Sequence, residues 1–277
     1  MRKNSLISFL VFIVILTASP RGEAFVPQTP HLLHLVVQKI KTPAGLVVYQ
    51  TRQIAGPTDE NVALTETLTY SLPGNLRSDT VSVSGRQFYV QSETGFAGVS
   101  GDRIAALEKP PAEHFTDPLL YRDHERMALA LVSAGVDIEN VTFQRLDGQI
   151  CYLVGQPSSD LAEMPGLWID KESFFPVRYL IRKDGRIVDV RYGNWQRVSR
   201  TWYPMETTIS VDGEPFANIL VNRFELASGF SPALFDVDKI LARYPREERL
   251  QESRGGHGNR IDALDRDIED FSKLYDQ

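Results

Sequence analysis

Few side chains in this chain could do chemistry. The histidines are His31, His34, His114, His124 and His257. His31 and His34 lie three apart, a spacing that on a helix would let two imidazoles share a metal ion. No further histidine or carboxylate lies close in sequence to complete such a site, so helix-packing or solvated histidines are expected, with no metal and no cofactor. His124 falls on an apolar helical face and reads as an interior histidine with its needs met. The single cysteine, Cys151, sits in the strand-like run Gln149–Val154 and is expected to be a buried, inert thiol. Gly-x-Ser-x-Gly, a glycine-rich phosphate loop and His-Glu-x-x-His are all missing from the sequence. Among the carboxylates only Glu66 is out of place, since it interrupts an apolar strand face. It is expected either opposite a buried arginine or at the wet mouth of a cavity. No catalytic residue is assigned, and the expectation is a protein that is not an enzyme.

What positions such residues is a chain of 277 amino acids, 42% apolar and 24% charged, which is an ordinary globular composition with room for one large β domain. Thirty basic against 36 acidic residues give −6, which argues against nucleic acid as a partner. The N-terminus has three parts: Arg2 and Lys3, an apolar run from Leu6 to Leu16, and Gly22-Glu23-Ala24. That is the pattern of a cleaved secretory signal peptide over residues 1–24. As a helix the run would reach only about 16 Å, short of a bilayer's hydrocarbon core. Cleavage would remove three basic residues and one acidic residue, taking the net charge to −8. The expectation is a soluble periplasmic protein that does not span a membrane once cleaved.

Residues 25–244 read as one domain. Thr29-Pro30 marks a helix start, and Leu33, Val36, Val37 and Ile40 form its apolar stripe. In the run from Val62 to Leu72, Val62, Leu64, Leu68 and Tyr70 alternate with Ala63, Thr65, Thr67 and Thr69, and Leu46–Ile54 and Arg86–Ser92 are similar. Asp117-Pro118 predicts a second helix with Leu120, His124, Met127, Ala128 and Leu131 on one face, stopped at Gly135. Beyond Val141, Asp147-Gly148, Asp184-Gly185 and Asp212-Gly213 each divide alternating runs, the strongest short signal for β-hairpins. Long antiparallel strands patterned on one face need that face covered, and two helices are on hand. The fold class is therefore mainly β: one strongly curved antiparallel sheet, an open half-barrel, with two helices over its concave side. Residues 245–277 form a charged tail, in which Ile261, Leu264, Ile268, Phe271 and Tyr275 make a short amphipathic stripe.

Leu167-Trp168-Ile169-Asp170-Lys171, then Phe175-Pro176-Val177-Arg178-Tyr179, Trp202-Tyr203-Pro204 and Leu234-Phe235 follow one another along the chain. This series resembles the LolA-like family of periplasmic outer-membrane lipoprotein-sorting proteins. Tyr70–Arg77, with Pro73 four residues before Arg77, is similar to that family's early strand-and-turn element. The resemblance implies an unclosed β-barrel with a helical lid over an apolar cavity for the acyl chains of lipoproteins or lipids. The family's carriers place an arginine just before the early proline, where it helps close the lid; here that position holds Leu72.

On that basis the expected function is a carrier of acylated lipoproteins or lipids between membranes, with a membrane-bound donor or acceptor protein as a further partner. Leu64, Leu68, Tyr70, Leu120, Met127, Leu131, Tyr179 and Ile181 are the candidate cavity residues. The alternatives are a lipid-sensing module that signals to a protein partner through the C-terminal stripe, and an exported hydrolase of unrecognised type.

Overall fold

The computed structural model describes residues 26–41, 43–55, 61–82, 85–157 and 164–246. The signal-peptide segment and the stripe from Ile261 to Tyr275 lie outside the described residues.

Among the described residues, thirteen strands form one antiparallel sheet made of two meanders. The first comprises β1 (Gly45–Ala55), β2 (Asn61–Ser71), β3 (Asn75–Ser82), β4 (Gly85–Ser92), β5 (Gly95–Ser100) and β6 (Arg103–Ala106). The second runs through β7 (Val141–Leu146), β8 (Gln149–Gly155), β9 (Gly166–Asp170), β10 (Pro176–Lys183), β11 (Arg186–Val198), β12 (Thr201–Val211) and β13 (Glu214–Ala227). Pairing of β1 with β13 joins them, so β6 and β7 are the two edges of an unclosed sheet. Each Asp-Gly turn has both residues at positive φ, Asp184 at 52° and Gly185 at 81° for example. Those are the dihedrals of the two-residue turns that match strand twist, and they fix the register of all three hairpins.

The first three helices lie on the inner face. Helix α1 (Thr29–Ile40) buries Leu32, Leu33, Val36 and Ile40, close to the predicted stripe. Its N-cap is Gln28 rather than Thr29, whose hydroxyl instead donates to the Ile138 carbonyl. The predicted second helix is broken in two. A 3-10 turn over Pro111–Thr116 leads into α2 (Asp117–Leu120); the chain then turns, and α3 (His124–Ser133) starts afresh with the Asp123 carboxylate accepting from the Glu125 and Arg126 amides. Asp117 does not cap, because its carboxylate is taken by Lys109 and His114. Arg122, at the break, donates to the Leu119 and Lys41 carbonyls and so ties the end of α1 to the helical segment.

Three strands and one helix were not legible in the sequence. β3 carries Ser78 and Thr80 at inward positions, which hides its period. β5 and β6 are short and are covered on their outer side by α4 (Val237–Arg243). Phe235, Val237 and Ile240 there pack with Val90, Ala97, Val99 and Ile104. The Ile104 amide donates to the Pro245 carbonyl, so backbone pairing continues into the start of the charged tail.

Candidate functional site

The inner face of the sheet and the helices enclose one continuous apolar cluster. All eight candidate residues belong to it. Leu64, Leu68 and Tyr70 come from β2, Leu120 from α2, Met127 and Leu131 from α3, and Tyr179 and Ile181 from β10, each no more than 2% exposed. The interior at these positions is thus filled by the protein's own side chains, with the Tyr70 and Tyr203 hydroxyls 2.9 Å apart. A groove of about 550 Å³ lies elsewhere, on β1 and β11–β13, and holds none of the eight.

Within this apolar interior sits one group of charges. Glu66 lies opposite Gln50 in the β1–β2 register, two positions along from Arg52. It is buried opposite an arginine, the first of its two expected settings. Arg52 is 3.2 Å from Glu66 and also makes a two-pronged contact with Glu113 of the 3-10 turn. Gln50 Nε2 and Ser78 Oγ each donate to Glu66 over 2.6 Å, and Tyr89 Oη donates to Glu113 over 2.8 Å. The Arg52 guanidinium lies over the Phe115 ring at 5.2 Å. Four adjacent strands thus converge on the first turn of the helical segment, and every charged member of the group is under 3% exposed. Burial pushes the Glu66 carboxyl up, despite Arg52, with the nearby Glu113 charge adding to the rise. Burial acts the same way on Glu113, but the guanidinium and the Tyr89 hydroxyl outweigh it and hold that carboxyl below its ordinary range. Glu66 was visible in the sequence as an oddity. Arg52 and Glu113 were not, because they are 61 residues apart and lie in unremarkable local contexts.

A second polar tie follows directly. Lys109 Nζ is 2.6 Å and His114 Nδ1 2.7 Å from the Asp117 carboxylate. Burial would raise this carboxyl, yet Lys109 and His114 beside it hold it down to about 2. Against an unfolded value near 3.8, that is worth about 2 kcal/mol of stability, fully present above pH 4 and lost as pH falls through 2. Asp117→Asn is expected to lower stability by about 2 kcal/mol at neutral pH and to flatten the profile between pH 4 and 2, read by urea unfolding.

The remaining chemical candidates have structural surroundings. Among the described residues no three His, Cys, Asp or Glu side chains group as metal ligands. His34 meets His124 edge-on at 5.4 Å and contacts Gln38. Cys151 is buried, and burial pushes its thiol up to about 11, which fits an inert thiol. Arg178 of the Pro-x-Arg element clamps Asp189 with two 2.8 Å hydrogen bonds and stacks on Trp168 at 4.6 Å, so that motif is structural.

An open antiparallel half-barrel with helices over its hollow side is thereby defined. No family model and no curated protein matches the sequence. Solved structures of similar shape do exist. The chain is similar to a LolA superfamily protein from Nitrosomonas europaea, with a TM-score of 0.55, 12% identity, and coverage of 77% of this chain and 100% of that one. It is similar also to a putative outer membrane lipoprotein-sorting protein domain from Vibrio parahaemolyticus, with a TM-score of 0.52, 10% identity, and coverage of 76% and 97%. At 10–12% identity this likeness is one of fold: both share the open half-barrel with helices that the motif resemblance implied. Among the described residues no helix is long and apolar enough to cross a membrane.

Proposed function

We propose that this protein is an exported periplasmic carrier that shelters the acyl chains of lipoproteins or lipids between its half-barrel and its helical segment, without catalysis, as they pass between membranes. The observation that supports this most is the way the segment from Pro111 to Ser133 is fastened. Its first turn is held to the apolar inner face by one compact charged clasp, Arg52 with Glu113, rather than by apolar packing alone. A polar clasp can exchange its partners for water as it opens. The eight buried candidate residues are then the surface an acyl chain would meet once the segment lifts. Their full burial means that the space is made by opening and is not kept open beforehand. Sheltering a chain of roughly sixteen carbons from water is worth on the order of 13 kcal/mol, enough to offset such a rearrangement.

Native mass spectrometry of protein purified from producing cells without detergent tests the proposal. Co-purified phospholipid or acylated peptide, with uptake of a fluorescent fatty acid, is expected. Protein that is repeatedly empty and exchanges no fatty acid would overturn it.

A further inference from the structure

One end of the half-barrel carries a chain of aromatic rings at the margin of the apolar cluster: Tyr152 and Phe175 belong to it, and Phe143, Phe174, Trp195 and Trp202 pack against it while staying partly exposed. Phe143 and Tyr152 lie 5.0 Å apart, Tyr152 stacks with Phe174 at 6.3 Å, and the adjacent Phe175 stacks flat on Trp195 at 4.6 Å and meets Trp202 at 5.0 Å. Phe174 and Phe175 come from the β9–β10 turn, and Trp195 and Trp202 from the two strands of the β11–β12 hairpin. Both connections lie at the same end of the sheet, where α1 also finishes. Phe143, Phe174, Trp195 and Trp202 are each only half-buried.

Cations stand over these rings. Lys171 lies 5.0 Å from the Phe143 centroid, Lys39 5.2 Å from Phe175 and 5.6 Å from Trp202, and Arg197 5.6 Å from Trp202. All are within the range of attraction to an aromatic face. The hairpin tip adds exposed Val198 and Arg200. Half-buried tryptophans and phenylalanines, basic groups that cover their faces, and an exposed aliphatic tip are what a bilayer interface accommodates: rings sit at headgroup depth and basic groups meet lipid phosphates. Lys39, Lys171, Arg197 and Arg200 gather at this corner beside Asp170 and Glu172, in a chain whose net charge is −6, so attraction to an anionic surface has to be local.

We infer that this rim, centred on Trp195, Trp202 and the Arg197–Arg200 hairpin tip, is a docking surface for an anionic phospholipid bilayer. The inference goes beyond cargo carriage: a protein that held no acyl chain would still dock here, and the assay reads docking alone.

The test is sedimentation with vesicles of phosphatidylcholine alone or with about 30% phosphatidylglycerol. The chain is begun at residue 25, so that the apolar run near the N-terminus cannot itself insert; every strand described lies between residues 45 and 227. Binding to the anionic vesicles is expected to be at least tenfold stronger, and to fall at least tenfold in high salt or in the double variant Arg197→Glu, Arg200→Glu. In a Trp168→Phe background, which leaves Trp195 and Trp202, brominated phosphatidylglycerol should quench tryptophan emission. Equal binding to both vesicles, no binding, binding indifferent to the charge reversals, or unquenched emission would each overturn the inference.

Discussion

Replacing Arg52 by methionine should cost about 3–5 kcal/mol of folding stability, a large part of what a domain of this kind possesses. The guanidinium is the only cation in direct contact with both Glu66 and Glu113 among the contacts described, and its loss strands two carboxylates in an apolar interior. The sign of the pH dependence distinguishes this cause from simple loss of packing. Without the arginine both carboxyls would titrate above their unfolded values. A carboxyl raised on folding costs stability above its folded pKa, and that cost is relieved as pH falls through it. The deficit relative to the parent protein should therefore shrink between pH 7 and pH 5 in urea unfolding. Arg52→Met combined with Glu113→Gln should recover part of the loss, because one stranded charge is gone. A deficit that is equal at both pH values would show that uncompensated charge is not its source.

Changing Glu113 alone to glutamine should do something different. Arg52 then keeps Glu66 as a one-to-one partner, so the sheet retains a balanced pair, while the first turn of the helical segment loses its charged attachment and the Arg122 and Arg126 contacts farther along remain. Hydrogen bonds to charged groups contribute about 1.5–3 kcal/mol. If acyl binding requires the segment to lift, every 1.4 kcal/mol taken from the closed state raises apparent affinity tenfold. Glu113→Gln is thus expected to bind a fluorescent fatty acid about 10- to 100-fold more tightly than the parent, by titration. Unchanged or weaker binding would mean that this turn does not gate access.

The parts of the molecule that were readable in the sequence are those encoded locally. Alternation in β2 placed Leu64, Leu68 and Tyr70 on one face, and three Asp-Gly pairs placed three hairpins, because side-chain period and turn dihedrals depend on neighbours only. What was hidden depends on partners far along the chain. Val177, in step with Tyr179 on paper, packs with the outer cluster of Trp168 and Leu180, because the register slips between Pro176 and Arg178. Asp117-Pro118 looks like a helix start and is one, but for a single turn only; the charge expected to cap it is spent on Lys109 and His114. The motif resemblance places an arginine just before Pro73, where this chain has Leu72. The arginine that ties the first turn of the helical segment to the sheet is Arg52 on β1, and its partner Glu113 stands between prolines and aromatics with nothing local to mark it. Glu66 alone gave a signal, because a carboxylate on an apolar face requires compensation that the sequence does not show.

Where an acyl chain goes can be read directly. A lipopeptide with a photoreactive diazirine near the end of its acyl chain would be bound, irradiated and mapped by peptide mass spectrometry. Attachment within β2, β10 and the Leu120–Leu131 stretch, at Leu68, Ile181, Met127 and their neighbours, is the predicted result. Attachment confined to the outer face around Trp168 and Leu180, or to the exposed side of α3 at Leu129 and Val132, would contradict an acyl chain held between sheet and helices.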